Sequence, residues 1–322
     1  MIVVTNLVSV LCMYFVLSGA HIHLIWGEIR RMHWGWVSLA IGSDVFVYLL
    51  QSWRWGYILR PVERVSPWTL VRSIYVGLFA NEVLPLRAGE LIRCFLITRW
   101  SNVPLSGSFA SALIERIFDG VWLMALVFVP LQIADLPHYL QRAGYVLGII
   151  IVIASLVLGF GMYAKRQSID LFFGFSFPAW FNTLVEDLHL IGHSRYLYYS
   201  FFISGAYLLA QVIPIYAVIR AYGLDLDSEI VTAFALMVLL RLSSVVPQAP
   251  GNLGLFQGVA FTTLKLFGVY GAQAKRFSFV LWGVVTVPLI IVGFLLLLLT
   301  GVKMTHLHRE ALSAAEGQKN GA

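Results

Sequence analysis

Charge is what this sequence has least of. Asp, Glu, Lys and Arg make up 12% of its 322 residues, where a soluble domain carries about 25%. With 59% hydrophobic residues and a mean hydropathy of +0.83, that scarcity excludes a water-soluble globule and leaves a polytopic membrane protein. Cysteine is scarce too. Cys12 and Cys94 lie in or beside apolar segments and read as small buried hydrophobes, so neither a disulfide framework nor a metal site organises the chain. No basic stripe accompanies a soluble fold, which excludes nucleic acid as a partner; the net charge of +6 suits anionic lipid head groups instead. Walker and Rossmann glycine patterns are missing, so no cofactor is called for. His189 and His193 stand four apart, but no glutamate follows His189 as in a zinc-protease helix. Nothing nominates a catalytic constellation, and the chain reads as a non-enzyme.

What is there is apolar and segmented. A membrane helix needs about 20 mostly apolar residues. That rule predicts spans near 3–25, 36–58, 106–134, 143–163, 197–221 and 275–301, inside one membrane domain of residues 1–302 with a polar tail at 303–322. Residues 1–25 lack the Lys/Arg opening of a signal peptide and read as the first span. Residues 178–193 place Trp180, Phe181, Leu184, Leu188 and Ile191 on one face and Asn182, Glu186 and Asp187 on another. That pattern predicts a helix lying in the membrane interface, whether as a lipid-handling element or as a linker. Arg60, Arg64, Lys165, Arg166, Arg195 and Lys303 fall on one side of this topology, which favours cytoplasmic N and C termini; Arg30, Arg31, Lys275 and Arg276 run against it.

Two interruptions organise the rest. The first is Asn81-Glu82-Val83-Leu84-Pro85-Leu86-Arg87-Ala88-Gly89-Glu90-Leu91 and the second is Val245-Val246-Pro247-Gln248-Ala249-Pro250-Gly251-Asn252-Leu253. Laid one over the other, Pro85 meets Pro247, Gly89 meets Gly251, Glu90 meets Asn252, and upstream Ser66 meets Ser228. Ser66 followed by Pro67 is a helix start. Each break separates a helix from a shorter one, which predicts two re-entrant helical hairpins. The spans 36–58, 106–134 and 143–163 lie between the two copies, and an odd number of crossings turns the second copy upside down. The expected fold is therefore an all-α polytopic membrane protein, about six transmembrane helices plus two re-entrant hairpins in an inverted repeat, with units near 36–134 and 197–301. Broken segments in corresponding halves point to a transporter's binding site.

A charge near the bilayer centre costs about 2.5–3.5 kcal/mol on insertion scales, so such residues are functional candidates by default. Glu115, Arg116 and Asp119 share the third span, with Arg116 able to reach Asp119 at i,i+3; they serve either the substrate or a self-neutralised structural pair. Arg87, Glu90 and Arg93 recur at i,i+3 beside the first break. Asp44 stands mid-span as a candidate coupling residue that pairs with Arg116 or Arg241 or binds a proton. Arg54 reads as a snorkelling anchor, and Gln211 with Pro214 as a kink. Helices starting near Ala88 and Asn252 offer N–H groups and a positive dipole end toward an anion. Arg87, Arg93 and Arg241 add fixed charge suited to phosphate, and Gly89 and Gly251 permit close backbone approach. The first break carries more charge than the second, so it is expected to do most of the head-group recognition.

At 81–93, 115–119 and 247–257 the chain resembles the flippase-like transmembrane domain of the lysylphosphatidylglycerol synthase family, and the resemblance covers most of residues 1–300. Leu84-Pro85-Leu86-Arg87-Ala88-Gly89-Glu90 and Glu115-Arg116 with Asp119 carry it. The third motif departs from the family form, with Asn252 where a second glycine is expected and Gln257 where a glutamate is expected. The soluble aminoacyl-transferase domain is not in the sequence, so the resemblance implies lipid translocation without lipid aminoacylation. It implies a bacterial or archaeal cytoplasmic membrane and cargo among anionic or zwitterionic phospholipids, hopanoids and polyprenyl-linked glycans; alternative readings are a membrane-embedded enzyme acting on a lipid-linked substrate and a non-catalytic partner that anchors a lipid-modifying enzyme. The residues it and the charges nominate for substrate are Arg87, Gly89, Glu90, Arg93, Glu115, Arg116, Asp119, Arg241, Gly251, Asn252 and Gln257, with Asp44 for coupling.

Overall fold

The structure is a computed structural model, and it describes residues 24–84, 88–133, 179–244 and 250–300, with isolated positions at 13–14 and between 149 and 159. The predicted spans at 3–25 and 143–163, the tail at 303–322, and Pro85, Arg87, Pro247 and Gln248 lie outside the described residues. Every regular element among those residues is a helix: α1 (Ile25–Arg31), α2 (Trp34–Leu59), α3 (Pro67–Val83), α4 (Gly89–Trp100), α5 (Leu105–Ile133), α6 (Ala179–Gly192), α7 (Arg195–Ala210), α8 (Val212–Tyr222), α9 (Glu229–Ser243), α10 (Leu255–Leu266) and α11 (Gly271–Thr300). The stretches Arg195–Tyr222 and Gly271–Thr300 are long and apolar enough to cross a membrane. In the 29-residue α5, Glu115, Arg116 and Asp119 lower the hydropathy of a helix that has the length.

Local chemistry places the helix ends. The Ser66 hydroxyl accepts the Thr69 N–H at 3.2 Å, and Pro67 opens α3 where its missing N–H costs nothing. α3 ends at Val83, ahead of a proline that disfavours helical backbone in the residue before it. Ser228 occupies the equivalent place before α9 in extended backbone, but its side chain makes no capping bond; its carbonyl accepts from the Thr232 hydroxyl instead, at 2.9 Å. The predicted single span at 197–221 is divided into α7 and α8 at Gln211. Pro214, one turn beyond Ala210, removes a helix hydrogen bond there.

The chain forms two compact units. One comprises Met1–Tyr48, Leu78–Gly89 and Leu209–Leu295. In it α8 packs on α9, α9 on α10, and α1 on α8. Its ends are tied by charge: Glu28 accepts from the Tyr222 hydroxyl at 2.6 Å and pairs with Arg276 at 2.5 Å, while Arg220 pairs with Glu229 at 3.1 Å. Arg276, an exception to the charge asymmetry of the loops, is thus neutralised locally.

The other unit comprises Leu49–Gly77, Glu90–Leu208 and Leu296–Ala322. Its core joins Ile58, Ala110, Ile114, Phe118, Leu188, Ile191 and Leu197. Small residues let the helices approach, as membrane helices require: a Cβ on Gly205 would sit 2.7 Å from the Trp122 ring. The amphipathic helix α6 turns its apolar face, Leu188 and Ile191, into this protein core. The expectation of a helix resting on lipid is corrected to that extent. A 3.6-residue stripe looks the same whether protein or lipid covers it.

Candidate functional site

In the unit holding Leu49–Gly77 and Glu90–Leu208, the mid-helix charges gather into one network. Glu115 is wholly buried and sits between two arginines: Arg54 reaches its Oε1 at 2.6 Å, and Arg93 binds its Oε2. Arg54 also pairs with Asp119, donates to the Ser204 hydroxyl at 3.2 Å, and lies 4.8 Å from the centre of the Tyr207 ring. Arg93 lies 5.0 Å from the Trp55 ring centre. At the network's outer end, Arg116 faces Asp119 at 3.6 Å, the i,i+3 pair read from the sequence, and Glu90 at 3.4 Å. Three arginines and three carboxylates balance. Burial falls from 0% exposure at Glu115 and Arg54 to 44% and 42% at Arg116 and Glu90. The inner groups tie helices together, and the outer pair is open to solvent.

Arg54 is the residue the sequence reading missed. Taken as a snorkelling anchor, it is instead fully buried and joined to carboxylates 61 and 65 residues away. Charge balance was the available signal: Glu90, Arg93, Glu115, Arg116 and Asp119 leave one carboxylate without a counter-ion, and Arg54 supplies it.

In the unit holding Leu78–Gly89 and Leu209–Leu295, the two chain breaks meet. Asn252 Nδ2 donates to Glu82 Oε1 at 2.9 Å. Asn81 Oδ1 accepts the Gly89 N–H at 2.8 Å, closing the end of α3 on the start of α4. In the second break, Pro250–Asn252 forms a 3-10 turn in which Gly251 has φ +72°, and Asn252 follows at +53°. A Cβ on Gly251 would find ordinary room, 3.5 Å from Leu253, so the glycine serves the left-handed backbone rather than a close approach. Gly251→Ala should cost about 1–2 kcal/mol of stability from that conformation alone, read as a lower unfolding midpoint in detergent. Trp282 on α11 fixes this turn by donating to the Gly251 carbonyl at 2.7 Å. Gln257 is buried and reaches back to accept the Gly254 N–H at 2.7 Å, which a glutamate would also do. Its Nε2 is buried with no hydrogen-bond partner among the described residues. The expectation of open N–H groups at both helix starts is thus met only in part, since Gly89 and Gly254 already donate inside the protein.

The same unit places Asp44, 6% exposed on α2, in the field of Arg241, whose Nε donates to Gln211. Gln211 sits at the α7–α8 junction and also receives this arginine. The Asp44 Oδ2 is buried with no hydrogen-bond partner among the described residues. Among the described residues no group of His, Cys, Asp and Glu is placed to hold a metal ion.

A chain built of apolar helices, with buried ion pairs and charge-lined breaks, is a helical membrane protein. The sequence pattern of the lysylphosphatidylglycerol synthase TM region matches residues 2–302, and the chain belongs to that family. Among curated relatives it is 26% identical over 265 residues to the glycosyltransferase AglD of Haloferax volcanii, an alignment covering 70% of this chain and 42% of that protein. It therefore spans less than half the length of that relative. It is 20% identical over 295 residues to a UPF0104 membrane protein of Methanothermobacter thermautotrophicus, covering 83% and 85% of the two chains. A second UPF0104 membrane protein of that organism is 24% identical over 269 residues, with 74% and 75% covered.

Proposed function

We propose that this protein is a lipid translocase, which carries the phosphate-bearing head group of a lipid or lipid-linked molecule between two re-entrant hairpin tips while the tail stays in the bilayer. The observation that carries the reading is the hydrogen bond from Asn252 to Glu82, which joins two breaks that the sequence alone had aligned. Paired broken helices are where transporters bind their cargo. Arg87 and Gly89 of the first tip, and Gly251, Asn252 and Gln257 of the second, line the head-group path. In the unit that holds it, the network of Glu90, Arg93, Glu115, Arg116 and Asp119 offers a polar surface of its own to the substrate, and Arg241 with Asp44 provides the coupling element. The protein sits as a multi-pass chain in a cell membrane, with the two hairpins related as an inverted repeat. Glu28 on α1 joins Tyr222 at the end of α8 and Arg276 at the start of α11, which gathers these helix ends together and supports that topology.

Two experiments test it. Purified protein in vesicles should accelerate the crossing of a head-group-labelled phospholipid over protein-free vesicles, and equal rates overturn the reading. Single cysteines at Ser66 and Ser228 should react with impermeant thiol reagent from opposite membrane faces; same-face labelling removes the inverted repeat.

A second reading, a membrane-embedded enzyme acting on a lipid-linked substrate, is favoured by the similarity to one relative, the glycosyltransferase AglD. It predicts product formation by purified protein that disappears in Glu115→Gln or Asp119→Asn. A third role, a non-catalytic partner of a lipid-modifying enzyme, predicts that neutralising the hairpin charges leaves the cellular phenotype intact.

A further inference from the structure

Away from the charge network and the tips, the turn between α2 and α3 carries a site of different composition. A cavity of about 450 Å³ opens there, walled mainly by carbon: Leu49, Trp53, Leu70 and Val71, with Arg60 and Arg64 among its lining. That volume is in the range of small-ligand pockets, roughly 300–1,000 Å³. A second hollow of about 410 Å³ is polar, lined by Glu63, Ser66, Thr69, Arg99 and Asn102. Arg64 and Val65 line both spaces. An apolar chamber and a polar one thus share a wall whose charged member is an arginine.

The charge of this neighbourhood is unbalanced toward cations. Arg60 lies 4.6 Å from the centre of the Tyr196 ring and 5.8 Å from that of Tyr57. Neither Arg60 nor Arg64 forms an ion pair with a carboxylate among the described residues. Glu63, the acidic member, receives the Asn102 amide at 3.3 Å. Trp53, Tyr57, Tyr196 and Tyr199 form a chain of ring contacts, and Arg60 lies against two of its members. Aromatic residues mixed with arginine are the composition of a membrane–water boundary, and Trp53 is 58% exposed, as a ring facing lipid would be.

We infer that this paired chamber is a docking site for an anionic phospholipid, its acyl chain in the apolar cavity and its phosphate held by Arg64, which lines both spaces, and by Arg60 of the apolar one. Charge complementarity selects the occupant. A zwitterionic lipid brings its own cation against two arginines, a free anion leaves the carbon-walled cavity unfilled, and a guanidinium matches phosphate geometry. Basic pockets at a membrane face bind anionic head groups by the same rule. The site stands whether or not the lipid it holds is the one transported.

The test is lipid binding to the full chain in detergent, followed by native mass spectrometry with phosphatidylglycerol and phosphatidylcholine of identical acyl chains. Phosphatidylglycerol should bind about thirtyfold more tightly, the preference expected of two arginines near an anionic head group. Arg60→Gln/Arg64→Gln should bring the two lipids to near-equal affinity, while Arg30→Gln/Arg31→Gln, at the α1 end of the other unit, should keep the preference. Val71→Trp, which fills the cavity, should weaken both lipids, and millimolar inorganic phosphate should not compete. Equal binding by the unaltered protein, a preference that survives in the folded Arg60/Arg64 variant, or full competition by phosphate each overturns the inference. A phosphatidylglycerol with a photoreactive acyl chain needs no variant: crosslinks should map to 49–71, and labelling confined to other segments overturns it as well.

Discussion

Replacing Arg54 by leucine should destabilise the protein by about 3–5 kcal/mol, the cost of breaking a buried ion pair and stranding its partners. Glu115 and Asp119 both lose a counter-ion in that variant, and Ser204 loses a donor. Arg93 alone then faces a wholly buried carboxylate. Arg54→Lys should recover little, because one ammonium cannot reproduce a guanidinium that reaches two carboxylates and a hydroxyl together. Neutralising the one acid left in excess, Arg54→Leu with Asp119→Asn, should restore much of the stability, since Arg93 keeps Glu115 and Arg116 keeps Glu90, and a neutral replacement within a buried charge cluster is often tolerated. Unfolding midpoints in detergent with added lipid read all three. An Arg54→Leu variant as stable as the parent would show that the network contributes nothing to the fold.

The outer end of the same network should separate function from stability. Glu90 and Arg116 are 42% and 44% exposed and 3.4 Å apart, a geometry worth about 0–1 kcal/mol to the fold. Glu90→Gln/Arg116→Gln should therefore leave the unfolding midpoint nearly unchanged. Lipid translocation in vesicles should nevertheless fall at least about tenfold, because a hydrogen bond to a charged group is worth about 1.5–3 kcal/mol when nothing replaces it. A rate equal to the parent's would remove the outer pair from the transport path. A loss of both rate and midpoint would return it to the structural network.

Much of the frame was legible because its signals are local. Ser66 and Pro67 fixed the start of α3 within a residue, and the predicted spans at 36–58 and 106–134 agree with α2 and α5. The breaks were readable since proline and glycine act on their own backbone. Arg54 was not, because its meaning depends on Glu115 and Asp119, which lie on another helix. Its neighbours say only that it is near a helix end, where snorkelling is the default. Gln257 was read as the loss of a carboxylate, but its carbonyl oxygen still serves the backbone of Gly254. The contact between Glu82 and Asn252 lies between the two motifs, and alignment alone showed their likeness without their meeting. The apolar face of α6 could not be assigned to protein or lipid from periodicity.

Bridging the two tips tests most directly whether they enclose the moving head group. Cys12→Ser and Cys94→Ala clear the background, and Glu82→Cys with Asn252→Cys places two thiols where the 2.9 Å hydrogen bond stands. A short bifunctional thiol reagent should link them, seen as protein that stays joined across an engineered protease site in the intervening chain. In vesicles the linked protein should no longer translocate labelled lipid, and a linker cleaved by reductant should restore the rate. Linked protein that moves lipid as fast as the unlinked form would contradict the claim.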